Sequence, residues 1–283
     1  MDSELTYEGV VYSEMQGAMT RDRAALLNAN GLTFPGSALT FDYGGTPDVI
    51  PDMTWESVKA FHDLYYHPSN CFAILYGQIE DYAAFLALLD ETFSSYEKAE
   101  FTFEDKGYAA ITEPAVGTFA FPMAEGTDVT NQSEIIYYIV CPGMKGDVEQ
   151  ENLIDNVCSL LNESGSVLQQ TFKKAFPAGT LSCGREVAGP DDAIIFDATG
   201  MNEGDAEQVK AIVDEALRDV AQNGFAQDMV DAAMASLSIS SKLAPESGSP
   251  AEGVVNSMAY YYAVSGDPFK YVDRVDALSK MDE

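Results

Sequence analysis

An alternation of short apolar runs and amphipathic segments between residues 117 and 242 constrains the fold of this chain more than any other feature. Short runs bounded by turn residues are typical of strands, whereas apolar residues repeated every 3.6 positions are typical of helices. Strands are predicted over 117–121, 133–140, 180–187 and 193–199, and helices over 148–162, 167–175, 206–223 and 226–242. This order predicts an α+β fold in which an antiparallel sheet is backed by helices on one face.

Turn and break signals connect these elements. The cluster 189–192 contains glycine, proline and aspartate, and it predicts a hairpin between the last two strands. Residues 164–165 separate the first two helices, and Gly224 separates the last two. The chain is again helical from residue 252, with an interruption at 266–268.

The first hundred residues predict a second, smaller α+β unit. Its predicted elements are an apolar strand-like run over 9–12, a helix over 14–30, a loop over 31–51, a helix that Thr54 caps and Pro68 ends, a buried strand over 71–77 and a helix over 81–95. Residues 96–116 combine charges and glycine without a clean period, and we interpret them as a linker. The predicted organisation is therefore 1–95, 96–116 and 117–283.

The charge balance excludes several classes of partner. The chain has 15 basic and 46 acidic residues, a net charge of −31. Nucleic acids and anionic membranes bind proteins through lysine and arginine, so we expect neither as a partner. Such a surface would attract basic peptides, although general solubility explains the charge equally well.

Few features of the sequence indicate a cellular compartment. No run of 18 apolar residues occurs, so no segment is expected to span a membrane. The acidic N-terminus lacks the basic and apolar regions of a signal peptide, which favours a cytoplasmic location unless an upstream segment is missing. The four scattered cysteines are expected to be free thiols in a reducing compartment.

Histidine is too scarce to build a metal site within this chain. His62 and His67 are the only two, and their spacing of five does not place both on one helical face. Protein zinc sites gather three or four ligands. We therefore interpret both histidines as structural residues.

Three motifs follow one another within residues 1–95, which we call the first block; residues 117–283 are the second block. Residues 9–17 read GVVYSEMQG, residues 43–51 read YGGTPDVIP and residues 65–70 read YYHPSN. This ordered set resembles the presequence protease branch of the pitrilysin/insulinase superfamily of zinc metallopeptidases, the inverzincins. In those enzymes a helical H-x-x-E-H supplies two histidine ligands and the general base, and a downstream glutamate supplies the third ligand.

The resemblance implies that Glu14 is the downstream glutamate and therefore a zinc ligand. The H-x-x-E-H motif itself is absent from the chain. Ser13 and Gln16 stand where many relatives have asparagine and lysine, which affects contacts around the ligand but not the ligand. Without the flanking motifs, Glu14 would be interpreted as a surface carboxylate near a helix start.

The resemblance also implies repeated α+β sandwich domains. Residues 1–95 would be the C-terminal part of the catalytic domain, and 117–283 the second, homologous, peptidase-associated domain. Two zinc ligands, the base and the residues that anchor the substrate then lie outside this sequence. We therefore expect the zinc site to be incomplete and the chain alone to be inactive.

Three hypotheses remain open from the sequence. The first is a part of a zinc metalloendopeptidase that degrades short unfolded peptides, with missing N-terminal and C-terminal segments of the same enzyme as partners. The second is a non-catalytic homologue that keeps the fold and acts as an interaction domain of a peptidase assembly. The third is a natural short subunit that lends Glu14 to a partner subunit carrying the histidines.

Overall fold

A three-stranded antiparallel sheet organises the structure, a computed structural model that describes residues 7–101, 111–187, 191–243 and 250–270. The strands are β1 (Ser133–Cys141), β2 (Thr180–Glu186) and β3 (Asp192–Met201), in the spatial order β1-β3-β2. The helices are α1 (Val10–Ala18), α2 (Arg21–Thr33), α3 (Trp55–Tyr65), α4 (Tyr82–Phe93), α5 (Val148–Asn162), α6 (Val167–Ala175), α7 (Ala206–Asn223), α8 (Gln227–Leu243) and α9 (Pro250–Ser265). The predicted α+β class is confirmed.

The hairpin of β2 and β3 is also confirmed. Cys183 pairs with Phe196 across it, and Phe196 pairs with Tyr137 of β1 on its other side. The predicted turn lies in part at residues 188–190, outside the described residues. β3 is thus the central strand, and it is paired along both edges.

One face of the sheet carries the main hydrophobic core. Side chains alternate between the two faces of a strand, so β1 turns Ile135, Tyr137 and Ile139 towards this core. Its fully buried members come from the strands and from α5, α6 and α7: Leu161, Leu168, Phe172, Phe196, Ala198, Met201, Val209 and Val213. The 3.6-residue period of 206–223 therefore marks the face of α7 that packs on the sheet.

The opposite face of the sheet is covered in part by α2, so the expectation of helices on one face only is wrong. Phe34, which caps the C-terminus of α2, packs with Ala193 and Tyr138. The Tyr138 hydroxyl donates a 2.7 Å hydrogen bond to the Asn30 side chain. The first block of the sequence thus contributes a layer to the second.

The N-terminal helices differ from the prediction in two respects. The apolar run before Glu14 is not a strand, because α1 begins at Val10 and includes it. The predicted helix over 14–30 is two helices, with a break at Met19 and Thr20, where the Thr20 hydroxyl accepts a hydrogen bond from the Arg23 amide. A side-chain cap of this kind starts a new helix instead of continuing the old one.

The predicted cap of α3 is confirmed. The Thr54 hydroxyl accepts from the Ser57 amide, and the Ser57 hydroxyl accepts from the Thr54 amide, which together form a capping box. The helix ends at Tyr65, before Pro68. Asp81 caps α4 in the same manner through the Ala84 amide.

Two predicted strands are not formed. Residues 71–77 and 117–121 are described, but neither segment is helical or strand-paired. A strand needs a partner to satisfy its backbone groups, and among the described residues neither segment has one. Both segments leave aromatic side chains exposed, although Phe72 stacks on Tyr262 of α9 with ring centres 4.0 Å apart.

The predicted linker is described only in part. Residues 97–101 and 111–116 contain neither helix nor strand, and residues 102–110 lie outside the described residues. The helical tail from residue 252 belongs to α9, and the predicted interruption begins at Gly266. None of the helices in the described ranges is both long and apolar enough to cross a membrane.

Candidate functional site

Glu14 lies in the middle of α1 with its side chain exposed. Within this nine-residue helix, Met15 is the buried residue, so α1 contacts the rest of the molecule beside Glu14. The helix therefore presents the carboxylate outwards, in a position that a ligand or a second segment can reach.

The second motif lies against α1 and is held by an ion pair whose carboxylate, that of Asp42, is buried. The Asp42 side chain is inaccessible to solvent and accepts two hydrogen bonds from Arg23 of α2, at 2.5 and 2.8 Å. It also accepts from the Gly44 amide at 3.0 Å. The hydrogen bond from Arg23 lowers the pKa of Asp42 below its usual range, against the effect of burial, and the amide of Gly44 adds to this.

The two histidines make local contacts, and neither belongs to a group of possible metal ligands among the described residues. His62 is exposed and stacks on Tyr66 with ring centres 4.9 Å apart. His67 precedes a short 3-10 turn, and its Nδ1 accepts a 3.1 Å hydrogen bond from the Ser69 amide. These contacts agree with the interpretation of both residues as structural.

The described residues do not by themselves fit a zinc ion. In those parts of the chain no group of three or more histidine, cysteine, aspartate or glutamate side chains could hold a metal. The cysteines are free thiols, and two of them, Cys158 and Cys183, are buried in the main core. Glu14 can offer a single carboxylate, and any further ligands must come from outside these residues.

Sequence reasoning missed a buried charged network between α5, the hairpin and α9. Arg185 of β2 contacts Asp155 and Asp192 at 2.9 Å each and Glu151 at 3.6 Å. Glu151 is fully buried and accepts hydrogen bonds from the hydroxyls of Tyr260 and Tyr261 and from the Gly146 amide, at 2.7 to 3.1 Å.

This network joins α9 to α5 and to the hairpin through Glu151. Burial raises the pKa of Asp192, while the charge of Arg185 opposes the rise. Removal of one member of such a network leaves a buried charge without its partner, which is strongly destabilising. Residues 260–262 are all tyrosine, and this run was the available signal in the sequence, but nothing in it identifies Glu151 as the acceptor.

Comparison with known proteins assigns these features to a family. The profile of the peptidase M16 inactive domain matches residues 52–237, more than half of the chain and across the predicted linker. "Protein HypA" of Clostridium perfringens is 26% identical over 99% of this chain and 29% of its own length. The mitochondrial presequence protease of Danio rerio is 24% identical over 98% of this chain and 27% of its own length.

Solved structures show the same fold. An M16-like peptidase from Alicyclobacillus acidocaldarius superposes with a TM-score of 0.65 at 14% identity, covering 96% of this chain and 63% of that one. At such identity the likeness concerns the fold alone. The chain spans less than a third of the length of the two relatives named above. The resemblance inferred from the three motifs is thereby confirmed.

Proposed function

Because the chain belongs to the M16 (pitrilysin) peptidase family, we propose that it is part of a zinc metalloendopeptidase that degrades short unfolded peptides. One observation carries the proposal: nearly the whole chain aligns with presequence proteases, yet it covers about a quarter of their length. The activity then belongs to a longer assembly. In that assembly Glu14 is one zinc ligand, and the two histidine ligands and the base come from another segment.

The exposed apolar surface of the first block supports this proposal. We name as the open surface the side chains Trp55, Phe61, Leu64, Phe72, Leu86 and Leu88, all of which are at least 40% exposed. A helix that is apolar on most sides, as α4 is, is normally buried. The proposed occupant of the open surface is the remainder of the catalytic domain.

The unpaired segments support the same arrangement. Residues 71–77 and 117–121 carry apolar side chains and lack strand partners among the described residues. Exposed, unpaired apolar segments are a site for pairing with another chain segment. In the proposed assembly, a strand from the missing part of the domain pairs with residues 71–77.

A non-catalytic role is the second candidate, and one observation favours it. The matching profile is that of the inactive domain of M16 peptidases. A homologue that keeps this fold without the metal would act as an interaction domain of a peptidase assembly. The deciding observation is the reading frame upstream of residue 1: an H-x-x-E-H motif within some tens of residues supports the first proposal, and its absence supports the second.

The direct experiment compares the 283-residue chain with the same chain joined to its upstream segment. The isolated chain is expected to bind zinc weakly and to leave a quenched peptide uncut, since one carboxylate cannot match a three-residue site. The joined protein is expected to bind zinc in a manner that depends on Glu14. Tight stoichiometric zinc or chelator-sensitive cleavage by the isolated chain would contradict the proposal.

The matched variants are Glu14→Gln and Glu8→Gln in the joined protein. The first keeps the size of the side chain but removes its charge, so metal content and turnover should fall while the fold is retained. The second changes a nearby carboxylate outside the motif position and should behave as the wild type. Full activity in Glu14→Gln would end the ligand assignment.

The acidic charge leads to a proposal about substrates. A net charge of −31 would raise the local concentration of basic peptides. The preference for a basic over a matched acidic peptide should therefore shrink as added salt shortens the Debye length. A preference that does not depend on salt would remove the steering argument and leave the metal assignment intact.

A further inference from the structure

The turn at residues 42–45 lies directly on the buried residue of α1. A methyl group added at Gly44 would lie 2.3 Å from Met15 Sδ and 2.8 Å from its Cε. At such distances only a glycine lets the backbone of the turn approach the methionine side chain in its present position. The contact is one residue along α1 from Glu14.

A second part of the same loop reaches the start of α1. Ile50 and Pro51 border the same shallow depression as Val10, Val11 and Tyr12. The loop therefore lies beside the first residues of α1 as well as against Met15. A nine-residue helix is too short to be stable in water without such contacts.

The turn is held from its other side by α2. Asp42 fastens the turn to Arg23 through the two hydrogen bonds described above, and the Asp42 carbonyl accepts a 2.9 Å hydrogen bond from the Gly45 amide. Gly45 has φ +79°, a conformation that side chains other than glycine rarely adopt. The geometry of the turn is thus fixed by an ion pair with a buried carboxylate and by glycine.

α2 is in turn attached to the sheet. Its Asn30 side chain accepts the hydrogen bond of Tyr138, and Phe34 at its end is fully buried. A continuous set of contacts therefore runs from β1 through α2, Arg23, Asp42 and Gly44 to Met15.

We propose that Arg23, Asp42 and Gly44 are positioning residues that fix the orientation of α1, and with it the direction in which Glu14 points. The inference rests on the proposed function, in which Glu14 is a metal ligand. The break between α1 and α2 would otherwise let α1 change its angle. A ligand must be held within a fraction of an ångström, so this contact set gives the YGG motif a physical role.

Hydrogen exchange of the 283-residue chain, followed by mass spectrometry, tests the proposal without any metal. Asp42→Asn removes the charge of the pair and Gly44→Ala forces Met15 to move. In both variants the protection of α1 amides should fall about tenfold or more, while the protection of α7 stays as in the wild type. Gly17→Ala is the matched control, because it lies on α1 and nothing is within 4 Å of the added methyl group.

A double-mutant cycle separates positioning from a general loss of structure. In a Met15→Ala background the added methyl of Gly44→Ala has room, so the second substitution should no longer lower α1 protection. An effect of Gly44→Ala that persists in this background would overturn the proposed contact. Unchanged α1 protection in both Asp42→Asn and Gly44→Ala, or an equal loss in α7, would overturn the proposal as a whole.

The outcome for Glu14 is measured separately. In the joined protein, Glu14→Gln should lose zinc while α1 keeps its protection, because the substitution leaves Met15 and the turn intact. If Glu14→Gln keeps zinc while Gly44→Ala loosens α1, the ligand assignment fails and the positioning contact is supported. If Glu14→Gln loses zinc while the protection of α1 amides is unchanged in Asp42→Asn and Gly44→Ala, the ligand assignment is supported and the positioning role fails.

Discussion

α4 is a largely apolar helix and α7 is an amphipathic one. The less apolar of the two, α7, is the one that is buried. The first eight residues of α4 are all apolar or aromatic, yet no residue of this helix is buried. α7 carries charged residues along its length and buries Val209, Ile212, Val213 and Ala216 against the sheet. Apolar content alone therefore does not decide burial. A helix is buried only where another element offers a matching face.

The strand-like segments show the same difference. β3 is paired along both edges, whereas the apolar residues 71–77 have no strand partner in the part of the chain that the structure describes. The second block pairs its three strands with one another, and α2 of the first block covers part of their opposite face. In the first block, α3 and α4 bury no residue and expose large apolar side chains, which is the state that the proposed assembly predicts for this block.

The largest expected effect separates the main core from the open surface, through truncation of one phenylalanine in each. Phe172 is fully buried, and Phe172→Ala should lower the free energy of unfolding by about 3–5 kcal/mol. Phe61 is 59% exposed, and Phe61→Ala should change it by less than about 0.5 kcal/mol. Urea unfolding of both variants measures the difference. Equal losses would show that the open surface is covered within this chain.

The next largest expected difference is in the rate of limited proteolysis between the predicted linker and the main core. We expect the first cuts between residues 96 and 114 and a folded C-terminal product, because segments with few buried contacts open most easily. Cleavage there should be about 100-fold faster than within the main core, which corresponds to an opening free energy lower by about 2.8 kcal/mol. First cuts inside α7 or α8 would contradict the boundary between the two blocks.

Elements with local signals could be predicted from the sequence. The hydroxyl of Thr54 identified the start of α3, and the 3.6-residue period identified the buried face of α7. These signals lie within a few residues of the structure they specify. The strands at 71–77 and 117–121 were predicted on apolar content alone. Those predictions were wrong because strand pairing depends on a partner that is distant in the sequence.

The candidate site was predictable to a smaller extent. Glu14 was predicted to be a zinc ligand through the order of three motifs, since its own surroundings are an exposed helix surface. The contact between Arg23 and Asp42 joins residues 19 positions apart, and that between Glu151 and Tyr261 joins residues 110 apart. No local pattern encodes such pairs, so these contacts could be found only in the structure.

A pH effect should locate the interface between the blocks. Glu134 of β1 has a nearly inaccessible side chain and faces Asp197 of β3 and Arg21 and Asp22 of α2. Burial, with the charge of Asp197, raises the pKa of Glu134 to about 7. The native state therefore binds this proton more tightly than the unfolded state.

The sign of the effect follows from this preference. The contribution of Glu134 is fully present below the unfolded pKa of about 4.5 and is lost as pH rises to about 7. Glu134→Gln should match the wild type near pH 5 and be more stable by about 1–2 kcal/mol near pH 8. Thermal unfolding across this range measures the difference, with Glu163→Gln, an exposed carboxylate, as the control. The same difference at both pH values would contradict the assignment.

The smallest expected effect compares two helix caps. The Ser166 hydroxyl, 2% exposed as a residue, accepts from the Gln169 amide at 3.1 Å and donates to the Leu161 carbonyl at 2.7 Å. Ser166→Ala should therefore lower the free energy of global unfolding by about 1–2 kcal/mol. Thr54 makes an equally complete cap at the start of α3, but on an exposed helix.

Thr54→Ala should loosen α3 by a similar local amount and leave global unfolding unchanged within about 0.3 kcal/mol, because α3 buries no residue whose release is coupled to the main core. Hydrogen exchange of α3 amides and urea unfolding measure the two quantities on the same variant. A global loss in Thr54→Ala as large as that in Ser166→Ala would mean that the first block unfolds together with the second. Once the open surface is covered in the joined protein, the two caps should become equivalent, since α3 would then be buried against its missing partner.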